Sequence, residues 1–348
     1  MSPPVLMIMI FSLSMGTLIT MTSSHWLLAW MGLEINTFAI LPLMAQNYCP
    51  RTMEAMIKYF IIQTTAATML LFSSISNAWL TGQWDIQQMN HPIPLTMIII
   101  ALALKLGLAP MHAWFPEVIQ GLTLPTGLVL STWQKLAPLS LMLQLPVNNA
   151  FLLTTLGLLS ILMGGWGGLN QTQLRKILGY SSIAHLGWMV LVLQYLPSLT
   201  FLAFMTYIIL TFSMFLTFWY NQATTINALA TSWTKTPIIA AITPLTLLSL
   251  GGLPPLTGFL PKWMILSELT KQELMLAATT AALSALLSLY FYLRLSYAMA
   301  LTTSPNNLPA TLPWRINFLH PTTPLAISTA ISLCLLPLAP TALALFPA

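Results

Sequence analysis

The chain has 348 residues, 57% of them hydrophobic and only 5% charged, whereas soluble globular proteins carry about a quarter charged residues; a water-soluble fold is excluded. Eleven Lys and Arg against six Asp and Glu leave a net charge of +5, too sparse and scattered for a nucleic-acid footprint. The two cysteines, Cys49 and Cys334, stand far apart with no C-x-x-C and no Cys/His cluster, so no sequence pattern for holding iron, sulfur, haem or zinc is present.

A bilayer crossing takes roughly 20 apolar residues. Apolar stretches read against charge and Pro, Gly and Asn punctuation predict eleven spans, at 3–21, 25–44, 56–79, 93–111, 124–143, 149–169, 177–195, 199–219, 238–260, 274–298 and 324–345. The first lacks a basic n-region and an Ala-x-Ala site, and reads as mature protein and not as a removable signal. These are continuous apolar runs and not ten-residue alternations, which argues against a β-barrel. The expected fold class is an all-α polytopic membrane protein of about 11 transmembrane helices, one transmembrane domain over 1–348 with no room for a soluble one.

An odd number of spans puts the termini on opposite sides. Sorted by the positive-inside rule, one side collects Arg51, Lys58, Arg175, Lys176, Lys235 and Arg315, with Arg294 near a span end, and the other holds chiefly Lys271. The N-terminus is expected on the positive side. Trp26, Trp79, Trp84 and Trp314 near span ends fit interfacial belts.

Glu34, in WMGLEINTFAILP, is the first residue that could carry chemistry. A charged side chain at the bilayer centre costs on the order of 3 kcal/mol on insertion scales, so such groups usually face a protein interior and mark an ion path; the alternative is a structural ion pair locking two helices. Lys105, in IIIALALKLGLAPMHAWFPE, is too central to snorkel easily. Burial favours its neutral amine and a nearby carboxylate favours the ammonium, so the same group can be made to hold or release a proton.

His112 follows Lys105 by seven residues, two helical turns on one face unless Pro110 disturbs the geometry; it is a candidate relay or a polar plug. Lys135, in LVLSTWQKLAPL, has apolar flanks on both sides. His185, in YSSIAHLGW, has Ser181 and Ser182 one turn earlier and reads equally as a proton relay or a satisfied core histidine. Lys262, in GFLPKWMIL, is either a buried cation or an interfacial anchor beside Trp263.

Glu54, Asp85, Glu117, Glu268 and Glu273 fall in loops or span ends and read as solvated carboxylates. GGWGGL at 164–169 ends an apolar span, where glycines permit close helix packing and no phosphate loop is formed. No Ser-x-x-x-Lys or G-x-S-x-G setting supports hydrolase chemistry.

GLAPMHAWFP at 107–116 and GLPPLTGFLP at 252–261 share G-L-x-P, an aromatic and x-P at one spacing. Proline removes a backbone donor and clashes with the preceding turn, so each segment should unwind or kink. Paired Gly/Pro-interrupted spans in two halves point to a transporter-type site, against the alternative that the prolines only kink packed helices.

GLEIN at 32–36, LALKLGLAPMHAWFPEVIQG at 102–121, STWQKLAP at 131–138, GGWGGLNQTQLRKILGYSSIAHLGW at 164–188 and GGLPPLTGFLPKW at 251–263 together resemble the chain 2 family of mitochondrial NADH:ubiquinone oxidoreductase, respiratory complex I, in a mammalian version. The Met-rich, Val-poor composition likewise resembles chains made inside animal mitochondria. The resemblance covers essentially the whole chain. It implies an antiporter-like membrane-arm subunit related to Mrp-type cation/proton antiporter subunits, with two inverted repeats and two broken helices. The first repeat, shortened at its N-terminus, would cover about 1–145, the second about 146–300, with a last span at 324–345.

In this family the motif glutamate falls on Glu34, the first broken-helix lysine on Lys105, the central lysine on Lys135 and the second broken-helix residue on Lys262. No cofactor is expected in this chain, NADH, FMN, iron-sulfur clusters and ubiquinone belonging to other subunits. The expected partners are other membrane-arm subunits, including neighbouring antiporter-like chains, and lipids. The expected location is the mitochondrial inner membrane, with the N-terminus in the matrix and the C-terminus on the intermembrane-space side. Proton translocation would run through charge coupling along Glu34, Lys105, Lys135 and Lys262, where a unit pair at about 4 Å and an effective dielectric of about 20 interacts by roughly 4 kcal/mol. A stand-alone cation/proton antiporter and a structural scaffold without its own proton path are the rival readings.

Overall fold

A computed structural model describes residues 3–46, 49–89, 91–146, 150–234, 236–300, 322–338 and 341. The described residues form helices α1 Pro3–Thr22, α2 Trp26–Met44, α3 Pro50–Thr81, α4 Pro92–Leu106, α5 Trp114–Gly121, α6 Leu124–Gln144, α7 Ala150–Gly168, α8 Leu174–Val192, α9 Pro197–Asn221, α10 Ile226–Ala230, α11 Pro237–Gly251, α12 Phe259–Lys271, α13 Met275–Ala300 and α14 Thr323–Cys334. No strand occurs among them.

Local chemistry sets many of the boundaries. Proline stands in the first turn of α3, α4, α6, α9, α11 and α14, where its missing N–H is an orphan anyway and its fixed φ suits the helix. Inside the helices, Ser and Thr hydroxyls donate to carbonyls three or four residues back, as at Ser73, Thr246 and Ser249. That arrangement lets polar side chains sit where no water is available.

Among the described residues, six helices are long and apolar enough to cross a membrane: α1, α2, α3, α7, α9 and α13. Apolar helices α4, α11 and α14 are shorter. Each of the eleven stretches expected to span contains one helix of ten or more residues; the predicted last span runs past α14 into residues outside those described.

The chain divides into two compact units, Met1–Ser160 and Ile161–Ala348. In the first, α2 packs on α1, α3 and α6, and α3 also packs on α4 and α5. In the second, α9 packs on α8, α11, α12 and α14, and α13 packs on α11 and α12.

The two units share a local construction. In the first, the loop before α2 pairs with the loop after α3 through Trp26 N to Trp84 O at 3.1 Å and Ile86 N to Ser24 O at 2.9 Å. In the second, the loop before α8 pairs with the loop after α9 through Leu174 N to Thr224 O at 3.1 Å and Ile226 N to Thr172 O at 3.2 Å. Helix α4 then stops at Gly107 with φ 76°, and α11 stops at Gly252 with φ 78°, a left-handed conformation that L side chains adopt at a cost. A turn follows each glycine before helix resumes at Trp114 in one unit and Phe259 in the other. The two stretches singled out for their shared spacing thus each begin at a helix-ending glycine.

The glycines at 164–168 pack as expected. A Cβ on Gly164 would meet the backbone of Tyr180 and Ala184 on α8, and one on Gly168 would meet the Phe291 ring of α13.

Candidate functional site

In the first unit Lys105 occupies the last turn of α4, two residues before the Gly107 stop. That turn faces α3 and α6, so the side chain is 6% exposed, and its Nζ has no hydrogen-bond partner among the described residues. Lys135, midway along α6, is 2% exposed, and its Nζ lies 4.6 Å from the centroid of the Phe115 ring on α5. Both lysines line one cavity of about 20 Å³, room for roughly one water molecule.

Asn36 and Thr37 of α2, Tyr59 and Gln63 of α3, and Gln134 of α6 complete its polar lining. Gln63 Nε2 donates to the Lys105 carbonyl at 3.4 Å, and Gln134 Nε2 donates to the Asn36 carbonyl at 3.2 Å. A bare amine buried this way costs free energy unless water or a charge meets it. A cavity with several polar walls is the kind that holds water.

Glu34 stands one turn before Thr37 on α2. The Thr37 hydroxyl lies 2.8 Å from the Glu34 carbonyl and 3.1 Å from its Oε2. The Glu34 charge acts on Lys105 and on the Tyr59 hydroxyl, yet no contact ion pair joins Glu34 to Lys105. The structure therefore places Lys105 and Lys135 on one cavity, with Glu34 one turn from its Thr37 wall and not in a contact ion pair with Lys105.

In the second unit Lys262 lies in the first turn of α12, and its Nζ donates to the Gly251 carbonyl at 2.7 Å. That carbonyl ends α11, the negative pole of a helix dipole. Lys262 and His185 line one small cavity with Thr206, Tyr207 and Trp188. The His185 and Tyr207 rings stand 5.6 Å apart, and the Tyr207 hydroxyl hydrogen-bonds Ser182. Lys262, which the sequence left open as a buried cation or an interfacial anchor, is thus half-buried and tied to a helix end.

Four expectations change. His112 shares no face with Lys105, because α4 ends at Leu106. It sits in the turn with Nδ1 3.3 Å from the Pro110 carbonyl and does not line the lysine cavity. Glu268 is not solvated: it is buried on α12 beside Lys271 Nζ at 3.3 Å and Gln272 Nε2 at 3.4 Å. Glu54 and Glu117 are exposed as expected but not independent, since both meet Lys58 Nζ at 2.7 Å. Trp26 is fully buried under the paired loops, whereas Trp79 remains 89% exposed. Lys235, Arg315 and Trp314 lie outside the described residues.

Sequence reasoning missed Tyr59, Gln63, Asn36, Gln134, Phe115 and Tyr207. One signal was available: Tyr59 and Gln63 are polar-tipped residues four apart in an apolar span, hence on one helix face.

Residues 23–288 match the family profile described as NADH:quinone oxidoreductase/Mrp antiporter, TM, and residues 289–343 match NADH dehydrogenase subunit 2 C-terminus. NADH-ubiquinone oxidoreductase chain 2 of Tetraodon nigroviridis is 66% identical over 99% of this chain and 99% of its own length. The same-named chain of Salmo salar is 66% identical over 98% of each. A chain in the structure titled respiratory complex I from Thermus thermophilus with bound Aureothin superposes with a TM-score of 0.81 at 26% identity, over 96% of this chain and 79% of that one. Both named relatives are fishes, so the mammalian version expected from the motifs is set aside. Matched from end to end by relatives two-thirds identical to it, the chain belongs to the NADH-ubiquinone oxidoreductase chain 2 family.

Proposed function

We propose that this chain is a core membrane-arm subunit of respiratory complex I, a subunit of the NADH:ubiquinone reductase that couples electron transfer to proton translocation. Its own part is the proton path, through Glu34, Lys105 and Lys135 in the first unit and Lys262 with His185 in the second. The observation that carries this reading is Lys105: a nearly inaccessible amine without a protein partner, sharing a polar cavity with Lys135 and within the field of Glu34. A group so placed changes its hold on a proton when a neighbouring charge moves. Because Glu34 and Lys105 are not in contact, an approach that brought them together would strengthen their interaction.

The wider reading follows from the family. The chain lies in the mitochondrial inner membrane, with its N-terminus in the matrix and its C-terminus on the intermembrane-space side. All eleven apolar stretches cross, and α4–α5 and α11–α12 act as broken membrane helices in two inverted repeats. NADH, FMN, iron-sulfur clusters and ubiquinone sit in other subunits, and neighbouring antiporter-like chains and lipids contact this one.

A scaffold reading is favoured by one observation, the Lys262 bond to Gly251, which ties a helix end as a purely structural group would. The match to a profile shared with Mrp antiporters keeps ion exchange as a rival activity.

The test is Lys105→Ala in a homologous complex that tolerates engineering, with proton pumping and NADH-driven turnover measured per assembled complex. Intact assembly with both activities depressed is the expected result. Normal pumping at normal assembly overturns the role of Lys105, and losses that only track assembly favour the scaffold.

A further inference from the structure

Lys262 and His185 share a cavity of about 10 Å³, room for roughly one water molecule. In a space that small, a proton passes only when donor and acceptor are aimed at each other. Helix α12, which carries Lys262, packs on both α8 and α9, so three helices of one unit wall the cavity.

The described polar side chains around it sort by where their own protons go. The Thr206 hydroxyl donates to the Ala203 carbonyl at 2.9 Å. The Trp188 indole can only donate. The Ser182 hydroxyl donates to the Gly179 carbonyl at 2.7 Å, so in the bond between Tyr207 and Ser182 the phenol is the donor. The proton of Tyr207 thus points at a serine whose own proton ends on a backbone carbonyl, and this hydroxyl pair leads nowhere as a relay. His185 is the lining group whose ring nitrogen can take a proton from Lys262 and pass it on.

Tyr207 acts on His185 in another way. Ser182 and His185 stand three residues apart on α8, hence on one face of the helix. Tyr207, 1% exposed on α9, spans that interval: its hydroxyl is fixed at Ser182, and its ring lies 5.6 Å from the His185 ring at 43°, the spacing of a tilted aromatic pair. A histidine within a helix has two common χ1 wells. A phenol pinned at its far end cannot swing aside, so its ring restricts the wells open to the imidazole.

We propose that Tyr207 is a positioning residue: anchored on Ser182, it holds the His185 imidazole toward Lys262 for proton exchange. The proposal rests on the path through Lys262 and His185 given above. In the step it serves, an N–H bond of the Lys262 ammonium breaks, the neutral imidazole gains that proton directly or through one water, and the positive charge moves from Lys262 to His185. Tyr207 keeps its own proton throughout.

The experiment compares Tyr207→Phe, Ser182→Ala, His185→Ala and the double variant Tyr207→Phe with His185→Ala in the assembled homologous complex. The readouts, per assembled complex, are pumping, turnover and the solvent deuterium isotope effect on turnover. Tyr207→Phe keeps the ring and loses the anchor. It is expected to lower turnover about fivefold, the scale of one lost hydrogen bond, and to raise the isotope effect as proton transfer becomes limiting. Ser182→Ala, which removes the anchor from the other side, is expected to reproduce both changes. On the His185→Ala background, Tyr207→Phe is expected to cost nothing further, because its effect passes through the imidazole. Normal turnover in Tyr207→Phe or in Ser182→Ala, with His185→Ala impaired, overturns the positioning role and leaves the proton path standing. Losses that add in the double variant, or that leave the isotope effect unmoved, assign Tyr207 to packing alone. If His185→Ala is itself normal, the path through His185 fails and the positioning role fails with it.

Discussion

The Lys135 Nζ sits 4.6 Å from the centroid of the Phe115 ring, so a buried cation on α6 is met by the face of an aromatic ring from the short helix after the first interruption. The ring offers its negative face to the ammonium and nothing to the neutral amine. A cation–π contact of this kind is worth roughly 0.5–2 kcal/mol. Phe115 therefore meets the end of the Lys135 side chain with its ring face, without the permanence of a carboxylate.

Phe115→Leu keeps apolar volume and removes the ring. Turnover per assembled complex should fall several-fold while assembly stays near normal, read by pumping assays beside a native-gel measure of complex content. Full activity in this variant would reduce Phe115 to a packing residue.

Arginine at the lysine positions separates charge from proton transfer. Guanidinium stays protonated and still donates hydrogen bonds. Lys262→Arg should preserve the tie to the Gly251 carbonyl and hence assembly, yet abolish pumping if Lys262 must release a proton. Lys262→Met should lose the tie as well, removing a charged hydrogen bond worth about 1.5–3 kcal/mol, and lower the melting temperature of the complex. Pumping sustained by Lys262→Arg would make Lys262 a structural cap.

Gln63→Leu tests the amide at the α4 terminus. The Lys105 carbonyl loses its donor at 3.4 Å, a net effect of about 0.5–1.5 kcal/mol. A small drop in assembly is expected, together with a fall in turnover smaller than that of Lys105→Ala. A fall as large as that of Lys105→Ala would instead put Gln63 itself in the path.

The two helix stops should differ in their tolerance of a side chain. Alanine at either costs roughly 1–2 kcal/mol for the left-handed backbone. A Cβ at Gly107 would meet nothing nearer than 3.4 Å, whereas one at Gly252 would lie 2.9 Å from the Lys262 chain and 3.1 Å from the Gly258 carbonyl. Gly252→Ala is thus expected to impair assembly more than Gly107→Ala, as judged by complex content at equal expression; an equal effect would contradict the crowding argument.

The sequence by itself determined the all-helical membrane character, because apolar runs without charge have only one use at that length. It also singled out Glu34, Lys105 and Lys135, because an ionisable group inside such a run is costly wherever it points. The helix ends at Gly107 and Gly252 were legible for the same local reason: glycine and proline act on their own backbone.

What each group meets was decided by tertiary structure alone. The spacing of Lys105 and His112 puts them on one face only if Pro110 leaves the helix intact, and the helix ends between them. Glu268 looked like a loop carboxylate and is buried, because the end of α12 packs into its unit. Lys58, Glu54 and Glu117 read as three separate surface charges, since two come from α3 and the third lies 59 residues further on. Partners that distant are joined by packing of helix on helix, and no periodicity within a single span records which faces will meet.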